Sequence, residues 1–219
     1  MIAEIDLLNE RFDKLTPEER LKDLFNVQDE KKILFTSSFG STAVVLLHML
    51  SRVKPGMPVY FLDTGYHFKQ TLDYKNQVAA QLNLNIIDVK AEERKFKFTS
   101  ENETWRYNQD LCCYINKVRP VEELQKNYDV WVSGLLRFQN ANRVNMKVWE
   151  RKQDILKFHP IIDMTQEEVM LYMQIWDLPM HPLVEEGYDS IGCLHCTAKG
   201  SGRSGRWKDS AKTECGLHI

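Results

Sequence analysis

The chain has 219 residues, with 29 Lys and Arg against 31 Asp and Glu, a net charge of −2 at neutral pH and 43 % hydrophobic residues. That is apolar material for one substantial core and too little for two independent domains, while the near-neutral balance excludes a basic nucleic-acid or membrane surface. No apolar run approaches the ~18 residues of a membrane span and no signal peptide opens the chain, so a cytoplasmic protein is expected.

In chain order, residues 1–27 read as two short helices, the second opened by Thr16-Pro17-Glu18-Glu19, a cap, a first-turn proline and a returning glutamate. The core spans 28–188. Strands are predicted at Ile33–Thr36, Val59–Leu62, Ile86–Val89, Val130–Ser133 and Ile155–Phe158, with helices from Thr42 to about Leu50 and from about Phe68 to Leu82. The long insertion 90–129 is expected to turn helical around Cys112 and Cys113, and Thr165-Gln166-Glu167-Glu168 caps a last helix ending near Trp176. Strand, polar turn and helix in repetition predict one α/β domain: an open, twisted, parallel sheet of about five strands with helices on both faces. Trp131, Trp149 and Trp176 are expected in the core. From His181 the chain reads as loop, and 189–219 reads as a functional tail.

Ligands of open parallel sheets bind outside the carboxyl ends of the strands, where the strand order reverses. Ser37, Ser38, Phe39 and Gly40 lie there ahead of a helix N-terminus, suited to an anionic group. Asp63, Thr64 and Gly65 end the next strand. Arg137, Gln139 and Arg143, after the fourth strand, are donors of the kind that clamp phosphate or sulfate. With Lys117, Arg203 and Arg206 they fall in predicted loops near the cysteine segments, as a site built for a thiolate attacking something already negative would need; a solvated basic loop stays open as the alternative.

The chain has five cysteines. Cys193-Leu-His-Cys196 has the spacing that turns two thiolates toward one ion or cluster. Cys112 and Cys113 are adjacent, and neighbouring side chains diverge, which a cluster with several metal corners tolerates better than one tetrahedral zinc. A zinc site and buried inert thiols stay open as alternatives; disulfides are disfavoured by the odd count. Cys215, followed by a glycine near the end of the chain, is expected to be mobile and exposed, with His218, Arg203 and Arg206 available to lower its pKa.

SSFG after the first strand, LDTG after the second, Cys112-Cys113 followed by Asn116-Lys117-Val118-Arg119-Pro120, SGLLRFQNANR, GYDSIGCLHC, GRW and the terminal ECGLH closely resemble the assimilatory sulfonucleotide reductases. The paired-cysteine pattern is similar to the iron-sulfur adenosine 5'-phosphosulfate (APS) reductases within that family. The resemblance implies an adenine-nucleotide alpha-hydrolase-like fold and a [4Fe-4S] cluster on Cys112, Cys113, Cys193 and Cys196. It implies that Cys215 attacks the sulfur of APS to give an S-sulfocysteine and AMP, and that thioredoxin or a glutaredoxin-like dithiol then releases sulfite, in sulfate assimilation toward cysteine. Ser37 to Gly40 with Asp63 to Gly65 would hold the nucleotide; Lys117, Arg137, Gln139, Arg143, Arg203, Arg206 and His218 would serve the phosphosulfate and the nucleophile. No redoxin segment follows Ile219, so the reductant is expected from another chain; self-association is left open.

Departures from the family pattern concern substrate choice. Leu136, Asn140 and Asn142 stand where GLRRxQSxTR is usual, and TSSFGS is nearer the 3'-phosphoadenosine 5'-phosphosulfate (PAPS) type, so PAPS or dual use stays open. Two other classes are weighed. An ATP pyrophosphatase would share the fold, but SSFGSTA lacks the second glycine and the aspartate of an SGGxDS-like loop. A zinc-stabilised, non-catalytic module would be colourless, whereas a cluster is brown.

Overall fold

A computed structural model describes residues 2–152, 154–207, 212 and 214–217. Helices α1 (Ile2–Phe12) and α2 (Pro17–Val27) precede β1 (Ile33–Ser37), α3 (Ala43–Val53), β2 (Pro58–Asp63), α4 (Lys69–Gln81) and β3 (Asn85–Lys90). The insertion folds as α5 (Glu93–Glu101), α6 (Thr104–Tyr107), α7 (Gln109–Cys113), a wide π-helical turn (Tyr114–Val118) and α8 (Arg119–Gln125). Then come β4 (Val130–Val132), β5 (Trp149–Lys152), β6 (Ile155–Phe158), α9 (Gln166–Ile175) and α10 (Pro182–Glu185).

The sheet order is β3-β2-β1-β4-β6-β5, parallel throughout except that β5 runs antiparallel to β6. Six strands therefore stand where about five are expected. Trp149-Glu-Arg-Lys152 escapes a sequence reading because an edge strand carries polar residues. What seals that edge is Asn9 of α1, which accepts from the Trp149 amide at 2.9 Å and donates to the Trp149 carbonyl at 3.0 Å, as a neighbouring strand would.

Alternation along the strands sorts the core into two layers. Ile33, Phe35, Val59, Phe61, Val130 and Val132 point to the larger one, shared with α1 to α4 and α9. Leu34, Tyr60, Leu62 and Trp131 point to the other, where Val121 and Leu124 of α8 and Leu217 of the tail cover them. Helices thus pack on both faces, as expected. Both anticipated capping boxes form, at Thr16 with Glu19 and at Thr165 with Glu168.

Of the three tryptophans expected in the core, two are there and one is not. Trp131 and Trp149 are buried, whereas Trp176 is 42 % exposed. It ends α9 with Arg52 stacked 4.1 Å over its ring, so a cation rather than the core covers it. The segment after His181 is not all loop, since Pro182 starts the short α10. Among the described residues no helix is long and apolar enough to cross a membrane.

Candidate active site

The strand order reverses between β1 and β4, because the chain leaves β1 toward β2 and later returns to the other side of β1. A cavity of about 470 Å³ opens there, where a parallel sheet places its ligands. Its lining mixes apolar side chains, among them Leu46, Leu135, Val169 and Met173, with Lys117, Arg143, Arg203, Arg206 and the thiol-bearing Cys215.

Ser37, Ser38 and Gly40 line the cavity ahead of α3. Ser37 Oγ accepts from the Phe39 amide at 3.2 Å, closing a tight turn, and Phe39 takes a left-handed φ of 49° with its fully buried ring edge-on to Phe61. A non-glycine residue in that region costs on the order of 1–3 kcal/mol, which burial of the ring offsets. Phe39 therefore shapes the loop from the core side and is not in the lining. Ser41 Oγ donates to the Asp189 carbonyl at 3.1 Å and ties this loop to the cysteine-bearing tail.

The loop after β4 brings Gln139 and Arg143 into the cavity but not Arg137, whose Nε donates to the Met146 carbonyl at 2.9 Å. Gln139 is held at both ends of its amide, donating to Thr42 Oγ1 at 3.0 Å and accepting from Arg143 Nη1 at 2.9 Å. Arg143 is buried, and its other donors reach Glu214.

Cys215 lies in the wall of the cavity, half-buried, against the second core layer. The tail is therefore docked rather than exposed at this residue. Leu217 explains it, since burying its side chain stabilises the docked tail by roughly 1.5–3 kcal/mol. Burial alone would push the Cys215 thiol up; the Lys117 ammonium, a hydrogen bond involving the Leu217 backbone and Arg206 outweigh it and hold the thiol below its usual pKa. Lys117 in turn is pushed up by the Cys215 thiolate. Lys117 and Cys215 thus share the cavity wall and each favours the other's charged form, and a thiolate is the reactive form of the thiol.

Cys112, Cys113 and Cys196 are pushed up by burial and by their cysteine neighbours. Burial first, then the neighbouring thiols Cys113, Cys193 and Cys196, pushes Cys112 up to about 12, and burial with Cys193 and Cys113 pushes Cys196 up to about 11. Thiols so raised stay protonated unless a bound cation joins them. Asn116, in the π-helical turn, donates to the Cys112 sulfur at 3.6 Å, and Thr64 Oγ1 lies 3.3 Å from Cys193 Sγ. Among the described residues no three His, Cys, Asp or Glu side chains close on a point as one metal ion would require. Cys112, Cys113, Cys193 and Cys196 are the residues that could hold a metal group here.

Asp63, Thr64 and Gly65, expected at the nucleotide, face elsewhere. None lines the cavity; Asp63 pairs with Lys90 at 3.1 Å and accepts from the Gly65 amide, while Thr64 supports Cys193. The Cys193 turn docks on this strand end through the Leu194 amide, which donates to the Tyr66 carbonyl at 2.7 Å. His218 lies outside the described residues. Sequence reasoning passed over Glu214 and Trp207, both in the lining. The signal available for Glu214 was its place next to the cysteine, which says nothing of its partners.

A parallel sheet with a thiol, four cations and a serine-rich turn at its reversal point defines an anion-binding site on a nucleotide-type α/β fold. Residues 32–199 match the model of the phosphoadenosine phosphosulfate reductase domain, and the chain belongs to that family. A protein of Chelativorans sp. named adenosine 5'-phosphosulfate reductase is 39 % identical over 88 % of this chain and 81 % of its own. One of Gloeobacter violaceus, named phosphoadenosine 5'-phosphosulfate reductase, is 36 % identical over 98 % of this chain and 93 % of its own. Among solved structures, phosphoadenylyl-sulfate reductase of Candida auris superposes with a TM-score of 0.76 at 29 % identity, covering 89 % of this chain and 96 % of that one. Candida glabrata FMN adenylyltransferase, at 15 % identity and a TM-score of 0.61 over 90 % of this chain and 68 % of its own, shares the fold alone.

Proposed function

We propose that the chain reduces adenosine 5'-phosphosulfate to sulfite and AMP through an S-sulfocysteine on Cys215, as a step of sulfate assimilation. The observation that carries this reading is the Cys215 and Lys117 pair inside the cavity that the serine-rich turn and three arginines line. In the first step the Cys215 thiolate attacks the sulfur of the phosphosulfate. An S–S bond forms, the bond from sulfur to the bridging oxygen breaks, and its electron pair leaves with AMP. In the second step a dithiol of the thioredoxin type attacks the Cys215 sulfur. Sulfite leaves with the S–S electron pair, the mixed disulfide is resolved by the second thiol, and the dithiol ends oxidised and Cys215 reduced. Both electrons come from thiols.

A thiolate and a sulfonate ~4 Å apart repel by roughly 1–4 kcal/mol per charge pair at surface-like dielectric, so the cations are required before the two can meet. Cys112, Cys113, Cys193 and Cys196 are the residues that would hold a [4Fe-4S] cluster. With its four thiolates it would carry net negative charge, which the Lys117 ammonium would face, and it would tie the insertion to the tail. A cytoplasmic location suits thiols kept reduced.

The Gloeobacter relative, whose match covers nearly the whole chain, favours a second reading in which PAPS is also accepted. The test is sulfite release by reduced thioredoxin from APS and from PAPS, on anoxically purified protein with iron and acid-labile sulfide quantified. Turnover of APS that Cys215→Ser abolishes supports the main reading. Turnover of PAPS alone would replace it, and turnover of neither on protein with full iron and sulfide would end both.

A further inference from the structure

Glu214 immediately precedes the nucleophile, and its side chain is only 6 % exposed. A buried carboxylate needs partners, and this one has four hydrogen bonds. Its Oε1 accepts from Asn140 Nδ2 at 2.8 Å and from Arg143 Nε and Nη2 at 3.0 and 2.8 Å, and its Oε2 accepts from Arg203 Nη2 at 3.2 Å. The partners come from two different walls of the cavity, the loop after β4 and the Gly/Ser-rich run of the tail. On the other side of Cys215, Gly216 turns the chain with a φ of 88° and Leu217 enters the second core layer. Cys215 is thus strung between an ionic anchor and an apolar one.

Resting on the proposed function, we infer that Glu214 is a positioning residue, a latch whose carboxylate seats the tail on Asn140, Arg143 and Arg203 so that Cys215 is presented to the bound phosphosulfate. Charge count allows latch and substrate together. Lys117, Arg143, Arg203 and Arg206 bring four positive charges to the lining. Glu214 and a Cys215 thiolate cancel two, and the two left match the about two negative charges of a phosphosulfate. The competing possibility is that Glu214 occupies arginines the substrate needs, which has the opposite kinetic consequence.

The test compares full-length, cluster-bearing wild type with Glu214→Gln, Glu214→Ala and Glu214→Asp. Two quantities are read: the single-turnover rate of S-sulfo-Cys215 formation against APS concentration, and amide exchange of a peptide containing 214–217. At saturating APS the Gln and Ala variants are expected to form the adduct about ten- to a hundredfold more slowly, because a nucleophile misplaced by an ångström loses that much. Half-saturation stays within about threefold, Asp recovers part of the rate, and the tail amides of Gln and Ala exchange faster. An unchanged rate overturns the inference, as does a lower half-saturation concentration with a rate at least as high, which would make Glu214 a competitor. Should wild type form no adduct from APS or PAPS, the proposed reaction falls but the exchange data still decide the latch. Faster exchange in the variants keeps it, and equal exchange ends it.

Discussion

Gly192 shows how closely one residue can be tied to the chemistry of another. A Cβ there would lie 2.3 Å from Arg206 Nη2 and 2.5 Å from its Cζ, and the guanidinium is the part free to move. Gly192→Ala is therefore expected to push Arg206 out of the cavity lining. Half-saturation by the nucleotide should rise about tenfold, as for one lost charge-assisted contact, with the melting temperature little changed; an unchanged half-saturation would show that Arg206 does not touch the substrate. Lys117 makes a second case. It lowers the Cys215 pKa against burial, so Lys117→Met should raise it and move the rate-against-pH profile of adduct formation to higher pH. A profile that stays put would remove Lys117 from the activation of the thiol.

At the scale of elements, the N-terminal helices are fastened to the sheet by a buried arginine. Arg20 of α2 meets both oxygens of Asp163 at 2.6 and 2.7 Å and also donates to the carbonyls of Phe12 and Pro160. Arg20→Ala leaves those acceptors and the carboxylate without their partner, and should cost about 3 kcal/mol, or roughly 6–12 °C in melting temperature for a chain of this size; a loss under a third of that would mean the helices are held by apolar packing alone. Five strands and both capped helices were legible because apolar β-branched runs and the Thr-x-x-Glu signature are local. Trp149–Lys152 was not, since it is an edge strand paired only with β6 and its polar residues break the apolar run. Cys215 was misjudged as exposed because the ionic partner of Glu214 is Arg143, at a separation of 71. That Cys215, the serine turn, Lys117, Gln139, Arg143, Arg203 and Arg206 gather at one cavity could be read from residue type and loop position. That Thr64 meets Cys193, and that Asp63 to Gly65 do not line the cavity, needed the three-dimensional placement of the end of β2 against the tail.

For the molecule as a whole, buried neutral histidines set the acid limit. His181 is fully buried, and its Nδ1 accepts from the Leu183 amide at 3.2 Å, so the ring proton sits on Nε2 and is donated to Thr71 Oγ1 at 3.1 Å. Burial pushes its pKa down to about 4. His159, also fully buried, is lowered by burial against the pull of Glu150. A histidine whose folded pKa is depressed contributes its full stability above the unfolded value near 6.5 and loses it as pH falls toward the folded value. Stability should therefore decline from about pH 6.5 to 4, with His181 responsible for up to about 3 kcal/mol of the change; His181→Gln should flatten the slope in denaturant titrations, and an unaltered slope would assign the acid limit elsewhere.

The whole fold converges on placing one thiolate at a cationic cavity, and the mass of that thiol's product tests this most directly. Anoxically prepared protein is incubated with APS or PAPS without reductant, and intact and peptide masses are recorded together with released nucleotide. One sulfonate on Cys215 with one AMP freed per chain, lost again as sulfite when a dithiol is added, is the expected result. A chain with full iron and sulfide that frees nucleotide without modifying Cys215, or carries the sulfonate on another residue, would contradict it.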